Sequence, residues 1–298
     1  MNQTDIIQLA AKHGLLLNDT TVKLNESGVD FLAAHAADQS GQQWILRLPR
    51  SEASMRHAER ERRLLAVLKE HVTFAVPDWR IFSEELIAYP AVPGTPAATI
   101  DPELQDYRWV LDRGNLPEAY YDSLGSTLAS LHAVPVHAAE AAGIRIVRDF
   151  RAEMERRIDW TLRTYTVHPA RKKRWATWLE QEAYWPDAPG VFHGDLHPGH
   201  ILIDRSSAVT GLIDWTEAGA GDVSTDFASH LLLFGEDSLD RLLRSYKKAG
   251  GTVHPDLAAH IRCLLSTSGI ITAEYAETVG SRDMNAMAVA MLAQENDW

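Results

Sequence analysis

The chain has 298 residues, with 29 Lys and Arg against 41 Asp and Glu for a formal net charge of −12, and is 45% hydrophobic and 23% charged. At about 150 residues per domain this is one large domain or two modest ones of ordinary globular composition. The acidic balance argues against a nucleic-acid partner, which needs a basic face, and the single Cys263 excludes an internal disulfide framework.

Residues 4–13 read as a helix with Thr4 as N-cap and Gly14 as its stop. Short apolar stretches follow at 15–18, 21–24, 29–36 and 44–49, the last an alternating strand that ends at Pro49. From Ser51 the pattern is helical, with Leu64, Leu65 and Leu68 at helical spacing. After a turn at Pro77-Asp78, two strands are expected within 79–83 and 85–90. Pro90, Pro93, Gly94 and Pro96 then punctuate the chain, and strand signals become rare beyond them. Helices are expected over 117–134, 147–167, 170–184, 222–234, 237–249 and 255–277. The exception is 190–215, where two apolar runs flank a polar Arg-Ser-Ser turn and predict a small hairpin. The expectation is an α+β chain: a small β-rich lobe over 1–90, a hinge over 91–100 and a larger helical lobe over 101–298, with a cleft between the lobes. No run approaches the roughly 18 apolar residues of a membrane span, and no signal peptide is evident, so a cytoplasmic protein is expected.

The densest run of reactive side chains is His193-Gly194-Asp195-Leu196-His197-Pro198-Gly199-His200, followed by Ile213-Asp214-Trp215. Two carboxylates on either side of one hairpin can enter one cleft. Such a pair suits phosphoryl transfer, in which one acid takes the acceptor's hydroxyl proton and the other binds Mg²⁺ on the nucleotide phosphates. The run reads H-G-D-x-x-x-x-H where protein kinases have H-R-D-x-x-x-x-N, and I-D-W stands in the place of D-F-G. No G-x-x-x-x-G-K-[ST] phosphate loop, H-E-x-x-H zinc helix or G-x-S-x-G elbow is present.

These residues, with 44–50, 74–80, 193–204, 211–215 and 226–237, resemble the antibiotic kinases of eukaryotic-protein-kinase-like fold, and among them the macrolide 2′-phosphotransferases. The resemblance covers nearly the whole chain and implies a two-lobed protein-kinase-like fold. It implies that Asp195 is the catalytic base on the sugar hydroxyl, Asp214 the main Mg²⁺ ligand and His200 a second metal-side residue. Imidazole is a softer ligand than the amide usual at that position. Arg47 matches the phosphate-contacting residue that is Lys in protein kinases, with Glu61 as its ion-pair partner and Glu59 as the competing choice. The nucleotide base is expected against Tyr89, Pro90, Ala91 and Val92, and the loop with Ser27 and Gly28 over the phosphates, although that loop is not a G-x-G-x-x-G. The resemblance favours GTP over ATP. Glu274 and Tyr275, on a late helix, are candidates for the acceptor pocket.

Several residues carry structural readings. The resemblance implies that His193 packs under the loop and that Asp226 ties down the catalytic-loop backbone, while His197 is expected to face solvent and Asp222 to cap a helix. The leading expectation is a monomeric kinase that moves the nucleotide γ-phosphate to the 2′-hydroxyl of a macrolide amino sugar, with no nucleic-acid or membrane partner. The alternatives are a kinase for another alcohol such as an aminoglycoside, choline or a hexose, and a kinase-shaped binding module. A metal-dependent hydrolase using His193, Asp195, His197 and His200 is the different-class alternative.

Overall fold

The computed structural model describes residues 2–25, 30–101 and 106–295. Helix α1 (Gln3–Lys12) starts earlier than its expected cap at Thr4. Asn2 is the N-cap, because its side chain accepts from the Asp5 N–H while the Asp5 carboxylate accepts from the Asn2 N–H. Ile6 and Ala10, four apart on one helical face, bury against the N-terminal sheet. That sheet comprises β1 (Lys23–Asn25), β2 (Phe31–Ala37), β3 (Gln43–Pro49), β4 (Ile81–Phe82) and β5 (Ile87–Pro90), in the order β1-β2-β3-β5-β4.

Between β3 and β4 lies α2 (Glu52–His71), whose first turn is capped by Ser51 accepting from the Ser54 N–H. Ala58, Glu61, Leu65 and Leu68 recur at helical spacing and are all buried, so a carboxylate sits on the apolar face of this helix. Leu64, Leu65 and Leu68 join the same apolar cluster as Leu212 and Trp215, so α2 packs into the core of the C-terminal lobe.

Past the proline-rich crossover come strands that the sequence did not suggest: β6 (Thr95–Pro96), β7 (Ala98–Asp101) and β8 (Asp106–Trp109). They are two to four residues long, too short for a period to register, and β6 exists through its pairing with the predicted hairpin, Leu202 opposite Pro96. Helices α3 (Glu118–His132), α4 (Val136–Ala141), α5 (Phe150–Thr164) and α6 (Pro169–Glu180) follow. Next come β9 (Gly190–Phe192), β10 (Ile201–Ile203), β11 (Val209–Leu212) and β12 (Gly219–Gly221). The predicted hairpin is β10–β11, with Ile201 opposite Leu212 and Leu202 opposite Gly211.

The two helices expected over 222–249 are a 3₁₀ turn, Val223–Phe227, leading into α7 (Ala228–Lys248), which is broken inside at Gly235 (φ 79°, ψ −179°). The single helix expected over 255–277 is two, α8 (Leu257–Leu265) and α9 (Ser268–Val279), and α10 (Arg282–Ala293) follows. The split falls where the Ser266 and Thr267 hydroxyls donate to the Cys263 and Leu264 carbonyls, competing with the backbone donors that would continue the helix.

Candidate active site

The register of β10 on β11 brings the segment before Ile201 and the segment after Leu212 to the same end of the hairpin, which places Asp195 and Asp214 together. The loop between β9 and β10 is held by Asp226, whose two carboxylate oxygens accept from the His193 and Gly194 N–H groups, each at 2.9 Å. Burial alone would raise the Asp226 carboxyl. The His132 imidazole at 3.2 Å and these N–H groups outweigh it and hold the group below the usual carboxylate range. His132 in turn meets the Tyr246 hydroxyl at 2.8 Å, so α3 and α7 both support the clamp.

His193 fixes the two acid-bearing segments to each other. Its Nε2 lies 3.0 Å from the Ile213 carbonyl, which can only accept, so Nε2 carries the proton and donates. Its Nδ1 accepts from the Asp195 N–H at 3.3 Å, and complete burial holds the ring neutral by pushing its pKa down. The backbone is tight here. Gly194 has φ +85°, and a Cβ on it would come within 2.3 Å of the Glu217 carbonyl oxygen.

The Asp195 and Asp214 side chains are 50% and 48% exposed, with His200 between them. His200 Nδ1 donates to the Asp195 main-chain oxygen at 2.9 Å, which leaves the Nε2 lone pair 3.7 Å from Asp214 Oδ2. Burial works to raise the Asp214 carboxyl. The charge that His200 carries when it is protonated, the Arg47 charge and the Thr216 hydroxyl, 3.0 Å from Oδ1, bring it below its ordinary value. Across the cleft, Arg47 of β3 is 2.9 Å from Glu61, the two side chains only 12% and 2% exposed, and the guanidinium lies 4.2 Å from the Phe31 ring centre. Glu59 points elsewhere, 3.5 Å from Arg63 on an exposed face of α2.

Tyr89 is buried, its side chain packed in an apolar cluster with Phe31, Ala58 and Ile87. The Ala91 N–H donates to the Gln43 carbonyl at 2.8 Å. Backbone recognition of a base at this crossover therefore has to draw on the neighbouring peptide groups. Val92 packs close to Gly211 of β11. Ser27 and Gly28 lie outside the described residues. The Glu274 carboxylate accepts from Nε and Nη2 of Arg157, at 2.9 and 2.7 Å, whereas Tyr275 is exposed on a stripe of α9 with Ile271 and Val279.

His197 does not face solvent as expected. It is half-buried, its ring 4.0 Å from that of His200, and burial pushes its pKa down to about 4. One ligand atom each from Asp195, His197 and His200 lies within 4.8 Å of the others, but His193, engaged with Ile213, is not part of that group. The proposed four-residue hydrolase cluster therefore loses a member. Sequence reasoning also missed Arg60, which reaches from α2 to donate to the Thr216 carbonyl at 2.7 Å. It missed Glu217 as well, whose carboxyl is raised by burial and by the neighbouring Asp195 charge. Neither position carries a motif, and only their spatial neighbours distinguish them.

Comparison with known proteins agrees with this architecture. The family model described as the APH phosphotransferase enzyme family matches residues 21–260. YcbJ of Bacillus subtilis strain 168 is 37% identical over 296 residues, 99% of this chain and 97% of that protein. The structure of macrolide 2′-phosphotransferase MphH from Brachybacterium faecium superposes with a TM-score of 0.90 at 35% identity, covering 97% of each chain. That of a macrolide 2′-phosphotransferase type I gives a TM-score of 0.88 at 38% identity, covering 98% of this chain and 97% of that one. Matched by the family model over most of its length, and carrying the kinase-like fold that its catalytic-loop residues implied, the chain belongs to the APH phosphotransferase enzyme family.

Proposed function

We propose that this protein transfers the γ-phosphoryl group of a purine nucleoside triphosphate, GTP ahead of ATP, to the 2′-hydroxyl of a macrolide amino sugar. The observation that carries the reading is the whole-chain similarity to two macrolide 2′-phosphotransferases at 35% and 38% identity. Phosphoryl transfer needs positioning and charge neutralisation more than covalent chemistry, and the cleft offers both. Residues 91–100 act as the hinge, and the protein works as a cytoplasmic monomer. Among the described residues no helix is long and apolar enough to cross a membrane.

The half-exposed Asp195 carboxylate takes the proton of the attacking hydroxyl. Its negative charge also attracts the dimethylammonium group beside that hydroxyl. Arg47, held in place by Glu61, contacts the phosphates through its planar fork. The Asp214 carboxylate and the Nε2 lone pair of His200, 3.7 Å apart and open to the cleft, form a donor set that fits Mg²⁺, with the carboxylate as its hard ligand. Bound there, Mg²⁺ would offset the charge on the phosphates during transfer. The chain's own part is to hold these groups in register, through Asp226 under the loop and His193 between the two acid-bearing segments.

Nucleotide consumption and product mass, measured with an erythromycin-like macrolide and with an aminoglycoside, each with GTP and ATP, test the proposal. A phosphorylated macrolide formed faster with GTP is expected. Phosphorylation of the aminoglycoside alone would transfer the same chemistry to a different acceptor. Zinc-dependent hydrolysis without nucleotide would favour the hydrolase, for which the proximity of Asp195, His197 and His200 is the supporting observation.

A further inference from the structure

A row of rings runs through the catalytic loop. The Tyr107 ring of β8 is 5.9 Å from His197, His197 is 4.0 Å from His200, His200 is 6.0 Å from His193, and His193 is 4.6 Å from Trp215. Neither Tyr107 nor His197 has a part in the phosphoryl transfer proposed for this site.

His197 is folded back over its own turn. Its Nδ1 accepts from the Gly199 N–H at 3.1 Å, and the Tyr107 hydroxyl lies 3.3 Å from the same nitrogen and can donate to it. A Cβ at Gly199 would meet the ring at 2.6 Å, so glycine is what lets the imidazole lie there. The backbone closes the same turn: the His197 N–H donates to the Asp195 carbonyl at 3.1 Å, and the His200 N–H to the His197 carbonyl at 2.9 Å. From the hairpin side, the Ala98 N–H donates to the Pro198 carbonyl at 3.2 Å.

The bond from His200 Nδ1 to the Asp195 carbonyl fixes one atom of that ring. That bond restricts χ1 and χ2 of the side chain without fixing both, so what packs against the ring also sets its plane. His197 lies closer to the His200 ring than His193 does.

We propose that His197, held by Tyr107 and Gly199, is a positioning residue that sets the plane of the His200 imidazole and so aims Nε2 at Asp214. The inference rests on the reading that His200 and Asp214 hold the nucleotide-bound divalent cation. Groups that orient a ligating histidine typically contribute 10–100-fold in metal affinity or activity. The β7–β8 pair, whose first strand begins within residues 91–100, thereby reaches the metal side of the site through one hydroxyl.

The test uses the full chain with the imido analogue of whichever nucleotide supports turnover, and Mn²⁺ as the probe. Mn²⁺ binding is followed by electron paramagnetic resonance, and the metal activation constant, kcat and acceptor KM are measured separately. His197→Asn keeps an acceptor for the Gly199 N–H but removes the ring. It should weaken Mn²⁺ binding and raise the metal activation constant by about 10-fold or more, with acceptor KM within about 2-fold. Tyr107→Phe removes one hydroxyl with little risk to folding and should shift the same constants in the same direction by about 3-fold, on the scale of one neutral hydrogen bond. His200→Ala serves as the reference. If His200→Ala loses Mn²⁺ affinity while His197→Asn and Tyr107→Phe bind as the wild type does, the positioning role is wrong. A raised acceptor KM with unchanged metal constants would instead make Tyr107 and His197 part of the acceptor wall, and would also overturn it. Wild-type Mn²⁺ binding and turnover in His200→Ala would bring down the metal-side assignment itself, and this inference with it.

Discussion

Single side chains do most of the aligning in this site, and they do it through fixed protonation. His193 can bridge the Asp195 N–H and the Ile213 carbonyl only as the neutral tautomer with its proton on Nε2, and its burial favours that form. Asp226 works in the opposite sense: it must stay ionised while buried, and it does so because three donors face it. Replacing Asp226 with Asn leaves its shape but removes the charge opposite His132. A loss of about 3 kcal/mol in urea unfolding is expected, as for other broken buried pairs, together with a fall in kcat as the loop loosens. Asp195→Asn should behave differently. It removes a group whose side chain is half-exposed, so stability should be nearly unchanged while kcat falls by about 10²–10⁴-fold. Calorimetric nucleotide affinity close to that of the wild type would complete the pattern, and activity retained within a few-fold would refute the base assignment.

Among the elements, α2 and the α3–α7 pair have the most at stake. Helix α2 belongs to the N-terminal lobe in sequence, yet its leucines share the C-terminal core and its Arg60 holds the Thr216 carbonyl beside Asp214. One rigid helix therefore sets both the Arg47–Glu61 pair and the approach of the two lobes. The helical spacing of Leu64, Leu65 and Leu68 made the helix legible, whereas the preference for Glu61 over Glu59 came from the resemblance and not from the pattern. Glu59 and Glu61 differ by two positions, about 200° on a helix, and only the location of Arg47 on β3 selects Glu61. Helices α3 and α7 approach so closely at Gly125 that a Cβ there would lie 2.7 Å from the Ser245 and Tyr246 backbone. Gly125→Ala should therefore destabilise by about 1–3 kcal/mol despite its better helix propensity. A lowered Tm is the readout, and a raised one would mean the helices can separate freely.

For the molecule as a whole, buried histidines make stability depend on pH. Burial pushes His230 down to about 4, against an ordinary value of about 6.5. A depressed folded-state value means that the unfolded chain binds the proton first. The contribution is complete above pH ~6.5 and is lost as pH falls through about 4, a difference of about 3 kcal/mol. Urea melts from pH 7 to pH 4 should show this decline, and His230→Gln should flatten it. A wild-type profile independent of pH over that range would contradict the burial of this ring. The chemistry of the chain, its two-lobed order and the hairpin with an acid on each side were written in local pattern: alternating residues, helical spacing, and reactive types a few positions apart. What only the folded molecule decided are relations between side chains that no local period fixes. These include the inward choice of Glu61, the departure of His193 from the histidine cluster, the folding of His197 onto His200, and the short strands that exist only through their partners. The reason is physical: burial and hydrogen-bond partners belong to a side chain's surroundings, and those surroundings are assembled only when separate segments pack together.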